Sequence, residues 1–281
     1  MGEAQYKNFN IQRSGPVLSL VLATQCKGNS YNALFWEELS QFLRLIKDDH
    51  SIRVLTLSAE GRHFGGGMNV EYLASLNKTK GDDPARYNYW IKEKVLYLQA
   101  VIAQFEALPF PVIGAASGAC IGGSMALFAA CDLRIADTSA LFSIHEINVG
   151  IMCDLGTIQR VSTLCGHAFG SYLAYSGDTI DAHQALAASL ISKCCDNRDS
   201  LDEHLTQLAH KVAGHSPLAL AGIKNTLRSY RDMRFSDSLQ LSAVWNAGMY
   251  TSADVSCAIQ AQQERRTIQF GDLYGDCTDA D

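Results

Sequence analysis

Two carboxylate residues lie close together in a segment that otherwise consists mostly of apolar and small residues. The segment is FSIHEINVGIMCDLGT, residues 142–157, and between its acids Glu146 and Asp154 there is no Lys or Arg. Burying a carboxylate without a partner is costly, and burial raises its pKa toward the pH at which it can give and take protons. The pair therefore suggests a site for proton transfer.

Structural roles for the two acids remain open at this point. Asp154 precedes a predicted helix that begins LGTIQRV, so its side chain could cap that helix. Glu146 ends a predicted strand and could form an ion pair with Arg134 or Arg160. Taken singly, acids in proteins are more often structural than catalytic, and only their combination on one apolar loop favours catalysis.

Two glycine-rich turns could supply hydrogen-bond donors to the same chemistry. They are HFGGGMN (63–69) and GACIGGSMA (118–126), and each follows a predicted strand, 53–58 and 111–116 respectively. Backbone N–H groups at a strand–turn–helix junction can point at an oxyanion, and ligands of α/β sheets favour this end of the strands. Either run could instead only allow a tight turn. Neither matches a nucleotide-binding fingerprint or a nucleophile elbow.

The hydrophobic pattern predicts an α/β half followed by a mostly helical part. Strands 16–22 and 53–58 enclose the helical pattern NALFWEELSQFLRLIKDD, which predicts a parallel unit, and a long helix follows from Pro84 to Leu108. CDLRIADTSALFSI predicts two further strands. The later helices are predicted at 157–164, 167–175, 181–188, 200–213, 216–230, 236–249 and 252–264. The polar KTKGDD within 70–97 predicts a surface excursion of the kind that often covers a site.

Composition excludes several functional classes. The chain has 281 residues, 47% of them hydrophobic, and a net charge of -6, which argues against a nucleic-acid surface. No apolar run approaches the length of a membrane span. Nine cysteines without a C-x-x-C pair predict reduced thiols in an intracellular protein, and neither end of the chain resembles a targeting signal.

Three segments together resemble the crotonase (enoyl-CoA hydratase/isomerase) superfamily. They are HFGGGMN, PVIGAASGACIGGSMALFAACDLRIA and FSIHEINVGI, and HSPLALAGIKNTL adds a fourth. The resemblance covers roughly residues 10–265. The stretches KGDDPAR and MCDLGTIQR are most similar to the dienoyl-CoA isomerase branch, whose members convert 3,5-dienoyl-CoA to 2,4-dienoyl-CoA in unsaturated fatty-acid β-oxidation.

The resemblance implies an α/β fold, a crotonase-like spiral of ββα units with a helical C-terminal trimerisation region. Residues 1–200 would form the spiral core with the acyl-CoA site, 201–270 the helical region, and 271–281 a mobile tail. The resemblance also implies a homotrimer or a hexamer built from two trimers. By the same resemblance the protein would act in mitochondria or peroxisomes.

The resemblance also assigns roles to individual residues. The backbone N–H groups of Met68 and Gly123 would bind the thioester carbonyl, Glu146 would be the general acid/base, and Asp154 the extra acid of dienoyl isomerases. Lys27, Arg62 and Lys224 are candidates for binding the phosphates of CoA. We expect no metal and no separate cofactor, because CoA is part of the substrate.

Two positions depart from the family pattern. Ala126 stands where hydratases carry Glu and dienoyl isomerases carry Asp, and Asn69 stands where Asp is frequent. Hydration needs a water held between two carboxylates, so Ala126 disfavours a hydratase. We therefore expect a 3,5-dienoyl-CoA isomerase in which Glu146 works at C2 and Asp154 near C6. The alternatives are a Δ3-Δ2-enoyl-CoA isomerase that uses Glu146 alone, then a hydratase, and a weakly active oligomer that binds acyl-CoA.

Overall fold

The strands of the protein form one large and one small sheet. The computed structural model describes residues 6–78 and 83–274. Its strands are β1 (Phe9–Ser14), β2 (Val17–Leu22), β3 (Val54–Ala59), β4 (Val112–Ala116), β5 (Ala119–Ile121), β6 (Leu133–Asp137), β7 (Leu141–Ser143), β8 (Thr179–Asp181) and β9 (Lys193–Cys195). The large sheet has the order β1-β2-β3-β4-β6-β9, and the small sheet has the order β5-β7-β8.

Helices connect the strands and follow them. They are α1 (Ala33–Lys47), α2 (Val70–Lys78), α3 (Pro84–Ala107), α4 (Gly123–Ala129), α5 (Thr157–Cys165), α6 (His167–Ser176), α7 (Ala182–Ala187), α8 (Arg198–Ala213), α9 (Pro217–Ser229), α10 (Phe235–Met249) and α11 (Ala253–Glu264). Short 3₁₀ helices lie at Lys27–Asn29, Glu146–Val149 and Tyr230–Asp232. No helix in the described ranges is both long and apolar enough to cross a membrane.

The large sheet is parallel except at one edge. β2, β3, β4, β6 and β9 pair in parallel, while β1 pairs with β2 in antiparallel register. Every residue of β3 and β4 is buried, as expected for parallel strands that are covered on both faces. The predicted parallel unit of β2, α1 and β3 is therefore confirmed. Because these strands run the same way, the turns after β3 and β4 lie at the same edge of the sheet.

A hydrophobic core lies on each face of the sheet. On one face α1, α3 and α4 contribute the larger core, and α1 begins where Asn32 accepts a hydrogen bond from the amide of Phe35. On the other face α8 packs Leu201 and Leu205 against strand residues such as Ile113. Helices α1 and α8 carry apolar residues at helical spacing, and burial of this apolar face holds each helix against the sheet. The sheet is thus fixed from both sides, and its carboxyl edge is a rigid platform.

The structure differs from the expectations at several elements, and two of the expected segments lie partly outside the described residues. β1 and the strands β5, β8 and β9 were not predicted, and Glu146 begins a 3₁₀ helix after β7 rather than ending a strand. Arg53 donates hydrogen bonds to the carbonyls of Phe270 and Gly271, so the start of the tail predicted to be mobile is held against the core. Residues 275–281 of that tail, and 79–82 of the predicted surface excursion, lie outside the described residues.

Candidate active site

The two glycine-rich turns lie side by side at the carboxyl edge of the sheet. Gly65 forms a parallel bridge with Cys120. The Gly65 amide donates to the Ala119 carbonyl at 2.8 Å, and the Ile121 amide donates to the Gly65 carbonyl at 3.1 Å. Segments more than fifty residues apart in sequence are therefore joined through their backbones, as the positions of β3 and β4 in the sheet require.

Glycine allows an unusually close approach of the two turns. Gly67 has φ +81°, and a Cβ atom there would lie 2.7 Å from the Ile121 carbonyl oxygen and 3.0 Å from the Gly123 nitrogen. Such distances exclude any side chain, and the left-handed conformation also favours glycine. Gly67 is therefore required for two reasons: its backbone conformation, and the close contact between the two turns.

The amides of Met68 and Gly123 lie next to each other where the turns meet. A Cβ atom on Gly123 would lie 3.6 Å from the Met68 nitrogen. Gly123 is the first residue of α4, where amides have no acceptor within the helix. Neighbouring amides are engaged: Gly67 bonds Ser124 Oγ, Asn69 bonds the Tyr31 carbonyl, and Gly122 bonds the Ser143 carbonyl. Within residues 6–78 and 83–274, the Met68 and Gly123 amides have no acceptor, so both can donate to one carbonyl oxygen.

The carboxyl group of Glu146 lies against the second turn. A Cβ atom on Gly122 would be 3.6 Å from Glu146 Oε1, and Gly122 directly precedes Gly123. The Oε2 atom of Glu146 is buried and has no hydrogen-bond partner among the described residues. A buried carboxylate oxygen without a partner is costly, so this atom is free to bind a proton or a hydrogen-bond donor of a bound molecule.

The structure excludes the ion pairs that were the alternative role for Glu146. Arg160 instead bonds Glu106 at 2.7 Å, and Arg134 donates to the main-chain carbonyls of Leu190 and Cys131. Across the described part of the chain, no Lys or Arg lies within ion-pair distance of Glu146.

The alternative role of Asp154 as a helix cap is also wrong. The N-cap residue of α5 is Gly156, and among the described residues no side chain forms a capping hydrogen bond to that helix. Asp154 is held through its main chain instead, because Gln99 Nε2 of α3 donates to its carbonyl oxygen at 2.6 Å. Its exposed side chain is therefore not used in capping α5.

Burial is the main influence on the acidity of the groups on this loop. It raises the pKa of Glu146 above its usual range, the hydrogen bond from its own amide opposes the rise, and the negative charge of Asp154 adds to it. Partial burial of the carboxyl also raises the pKa of Asp154, although the residue as a whole is exposed. Between them, burial and the charge of Glu146 raise the pKa of Cys153 to about 11, so this thiol stays protonated and is a poor nucleophile. Each of the two carboxyls therefore holds its proton to higher pH than a free acid does.

The two departures from the family pattern have different surroundings. Ala126 is fully buried in α4 within the apolar core, and its methyl group provides no acid at this position. Asn69 accepts a hydrogen bond from the Tyr72 amide at 2.9 Å and thereby holds the first turn of α2. Asn69 thus has a structural role that Asp could also fill.

Two of the three basic candidates lie on the surface near the first glycine turn. Arg62 is exposed and lines a cleft of about 910 Å³ together with Gly28. Lys27 is exposed in the 3₁₀ helix next to Gly28, whose carbonyl accepts a hydrogen bond from the Gly66 amide at 2.8 Å. The structure therefore brings the segments of Lys27 and Arg62 beside the turn that carries Met68.

The assignment of Lys224 as a phosphate ligand is corrected by the structure. Lys224 is only 5% exposed. Its ammonium group contacts Asp132 Oδ2 at 2.8 Å and donates to the carbonyls of Phe105 and Phe110 at 2.8 and 2.9 Å. These contacts use all three hydrogens of the ammonium group. Lys224 therefore joins α9 to the core, and its position among apolar residues in HSPLALAGIKNTL is the sequence signal for burial.

The described residues contain no group of three or more His, Cys, Asp or Glu side chains that could hold a metal ion.

Comparison with known proteins places the chain in a family. The sequence model for the enoyl-CoA hydratase/isomerase family matches residues 12–273. The chain belongs to this family. Its membership confirms the superfamily that the glycine-rich turns and the acidic loop predict. It also confirms the expectation that the protein is an enzyme of that superfamily.

Relatives and a solved structure of this family cover nearly the whole chain. A protein of Arabidopsis thaliana named peroxisomal Delta(3,5)-Delta(2,4)-dienoyl-CoA isomerase is 32% identical over 95% of this chain and 98% of its own length. A mitochondrial protein of the same name from Mus musculus is 32% identical over 92% of this chain and 80% of its own. The crystal structure of an enoyl-CoA hydratase from Bacillus anthracis is 26% identical, with a TM-score of 0.86 over 94% of this chain and 99% of that one. The expected crotonase-type fold is confirmed.

Proposed function

We propose that this protein is a double-bond isomerase of acyl-CoA thioesters that converts 3,5-dienoyl-CoA to 2,4-dienoyl-CoA. The observation that carries the proposal is the carboxyl of Glu146 against Gly122, whose buried Oε2 atom has no partner among the described residues, beside the free amides of Met68 and Gly123. A base next to two donors for one carbonyl oxygen is what removal of a proton beside a thioester requires. The names of the relatives from Arabidopsis thaliana and Mus musculus support the same reaction.

The amides of Met68 and Gly123 would bind the thioester oxygen. Loss of a proton from C2 places negative charge on that oxygen, and two fixed donors stabilise this charge more than they stabilise the neutral substrate. The donors are backbone groups of rigid turns, so little reorganisation accompanies the reaction. They thereby make the C2 proton acidic enough for a carboxylate to remove.

Glu146 and Asp154 would then divide the two proton transfers. Ionised Glu146 takes the proton from C2, and the electron pair spreads from C2 along the conjugated chain to C6 and to the thioester oxygen. Protonated Asp154 delivers a proton to C6, which leaves double bonds at C2–C3 and C4–C5. The overall reaction moves one proton and adds none, and the two carboxyls regain their starting protonation by exchange with solvent.

The raised pKa values of both acids suit these roles. Partial burial of the carboxyl shifts Asp154 toward its protonated form, which is the form that a proton donor at C6 needs. Burial likewise makes Glu146 a stronger base than a free carboxylate. Hydration is disfavoured, because the position of Ala126 is filled by a buried methyl group and offers no second carboxylate for holding a water.

We also propose that the protein binds CoA through the surface near Lys27 and Arg62.

We propose further that the protein works as a trimer or a dimer of trimers. The helices after α8 leave large apolar side chains exposed in the single chain, among them Ile223, Leu227, Phe235, Leu239 and Val244. Several exposed large apolar side chains on neighbouring helices are typical of an interface between subunits. Mitochondria and peroxisomes, where the named relatives reside, are the proposed compartments.

The test is a spectrophotometric comparison of 3,5-dienoyl-CoA, 3-enoyl-CoA and 2-enoyl-CoA on the purified protein. We expect the conjugated 2,4-dienoyl product to form from the first substrate, with slower turnover of the second and no hydration of the third. Turnover of 3-enoyl-CoA alone would favour the simpler isomerase, and binding of all three without turnover would favour the weakly active oligomer.

A further inference from the structure

Ser124 belongs to the second glycine-rich turn and directly follows Gly123, which offers the second free amide. Its side chain is completely buried, and its Oγ accepts a hydrogen bond from the Gly67 amide at 2.9 Å. Gly67 directly precedes Met68, and Ser124 directly follows Gly123. One hydrogen bond therefore links the neighbours of both amides that would hold the thioester oxygen.

The space around this hydroxyl is filled. A Cβ atom on Gly65 would lie within 2.6 Å of Tyr31 Oη and still closer to Ser124 Oγ, so the absence of a side chain at Gly65 makes room for both hydroxyls. Tyr31 is itself fully buried and stacks on Phe35 with ring centroids 4.0 Å apart. The Ser124 hydroxyl is therefore closely packed, with Gly65 and Tyr31 beside it and the Gly67 amide as its donor.

The first turn needs such a restraint. Gly65, Gly66 and Gly67 are consecutive glycines, and glycine backbone is the most permissive of all residues. The Gly67 amide is buried and must have an acceptor, which Ser124 provides. Without that acceptor the peptide before Met68 could rotate, and the Met68 amide would lose its aim toward the shared carbonyl oxygen.

We propose that Ser124 is a positioning residue of the oxyanion site: its hydroxyl fixes the peptide that precedes Met68 and so holds the Met68 amide next to that of Gly123. This inference rests on the proposed function of the two amides. Ser124 does not touch the substrate itself. Its contribution is to keep two donors on separate segments aligned in one geometry, which transition-state stabilisation requires.

Kinetics of Ser124→Ala and Ser124→Gly test the proposal. Deleting one oxyanion donor costs ~10²–10³-fold in kcat, so loosening one donor should cost about 10–100-fold. We expect this fall in kcat with a KM changed by less than about threefold, because the donors act mainly in the transition state. Ser40→Ala is the matched control, since Ser40 is also buried and its Oγ accepts from Gln104 Nε2 at 3.3 Å, and it should keep the wild-type kcat.

A second measurement separates positioning from general damage and from failure of the proposed function. Hexanoyl-CoA with a ¹³C-labelled thioester carbonyl has no double bond to move, and hydrogen bonds lower the infrared stretching frequency of its carbonyl. We expect the carbonyl frequency of hexanoyl-CoA to fall by the same amount on binding to the wild type and to Ser40→Ala. On binding to either Ser124 variant it should fall by less. An equal shift and equal kcat in the Ser124 variants would overturn the positioning role alone. No shift in the wild type would overturn the proposed carbonyl site as well.

Discussion

Replacement of Glu146 by Gln should remove most of the isomerase activity and yet stabilise the folded chain at neutral pH. The substitution keeps the shape of the side chain and removes the negative charge from a group whose Oε2 atom is buried without a partner among the described residues. A carboxylate held in place for structure would show the reverse, with loss of stability on removal. The opposite signs of the two effects make this variant the sharpest test of the site.

The size of each effect follows from the chemistry of the group. Loss of a general base costs ~10²–10⁴-fold in rate, which is about 2.7–5.4 kcal/mol of transition-state stabilisation at 1.36 kcal/mol per tenfold. Burial, and then the charge of Asp154, raise the pKa of Glu146, so the folded chain binds this proton more tightly than the unfolded chain. The contribution of Glu146 to the free energy of unfolding is fully present below the pKa that Glu146 has in the unfolded chain. It is lost as the pH rises through the pKa that Glu146 has in the folded chain. A folded pKa that lies one pH unit above the unfolded pKa corresponds to about 1.4 kcal/mol.

Glu106→Gln is the matched control, because Glu106 is a partly buried acid with the opposite environment. Burial alone would raise its pKa, but hydrogen bonds and charges from Arg160 and Arg231 outweigh burial and lower it. Stability from Glu106 is therefore present above the pKa of the unfolded chain and lost as the pH falls through the folded pKa. We expect Glu106→Gln to lower the free energy of unfolding at pH 7 and to approach the wild type in acid.

Urea unfolding of wild type and both variants between pH 4 and pH 8 measures these differences. Glu146→Gln should gain stability relative to the wild type as the pH rises, and Glu106→Gln should lose it. Steady-state turnover of 3,5-dienoyl-CoA on the same preparations gives the activity. Normal turnover by Glu146→Gln, or a loss of its stability at pH 7, would refute the reasoning about this carboxyl.

Asp154→Asn should lower turnover of 3,5-dienoyl-CoA by ~10²-fold or more while 3-enoyl-CoA is still isomerised, and equal losses on both substrates would argue against a separate role at C6. The same variant should remove the decline of kcat/KM on the alkaline side of its pH profile, because burial raises the pKa of Asp154 and the proposed donor fails once it ionises. Lys224→Met leaves Asp132 and two carbonyls without their cation, so urea unfolding should show a loss of about 3 kcal/mol, the lower end for buried pairs because Asp132 is partly exposed. A raised KM for acyl-CoA with unchanged stability would instead support a role of Lys224 in binding CoA.

Local patterns in the sequence were enough to predict most helices and the main parallel strands. α1, α3 and α8 carry apolar residues at helical spacing, and β3 and β4 are apolar throughout, so burial of these residues dictates both the element and its inner face. β1 was missed because it is an edge strand whose residues are mostly exposed, and such a strand depends on its pairing with β2. Short strands such as β9 have too few residues to show a period.

The candidate site divides in the same way between sequence and tertiary structure. The sequence by itself determined the two glycine-rich turns, the acids Glu146 and Asp154, and the lack of an acid at Ala126, because these features lie in contiguous segments. Only the tertiary structure decided which charges have partners. Arg160 bonds Glu106 rather than Glu146, and Lys224 bonds Asp132. Ion pairs and shared oxyanion donors join segments that are far apart in the chain, and their partners are chosen by the packing of whole helices and strands, which no local spacing encodes.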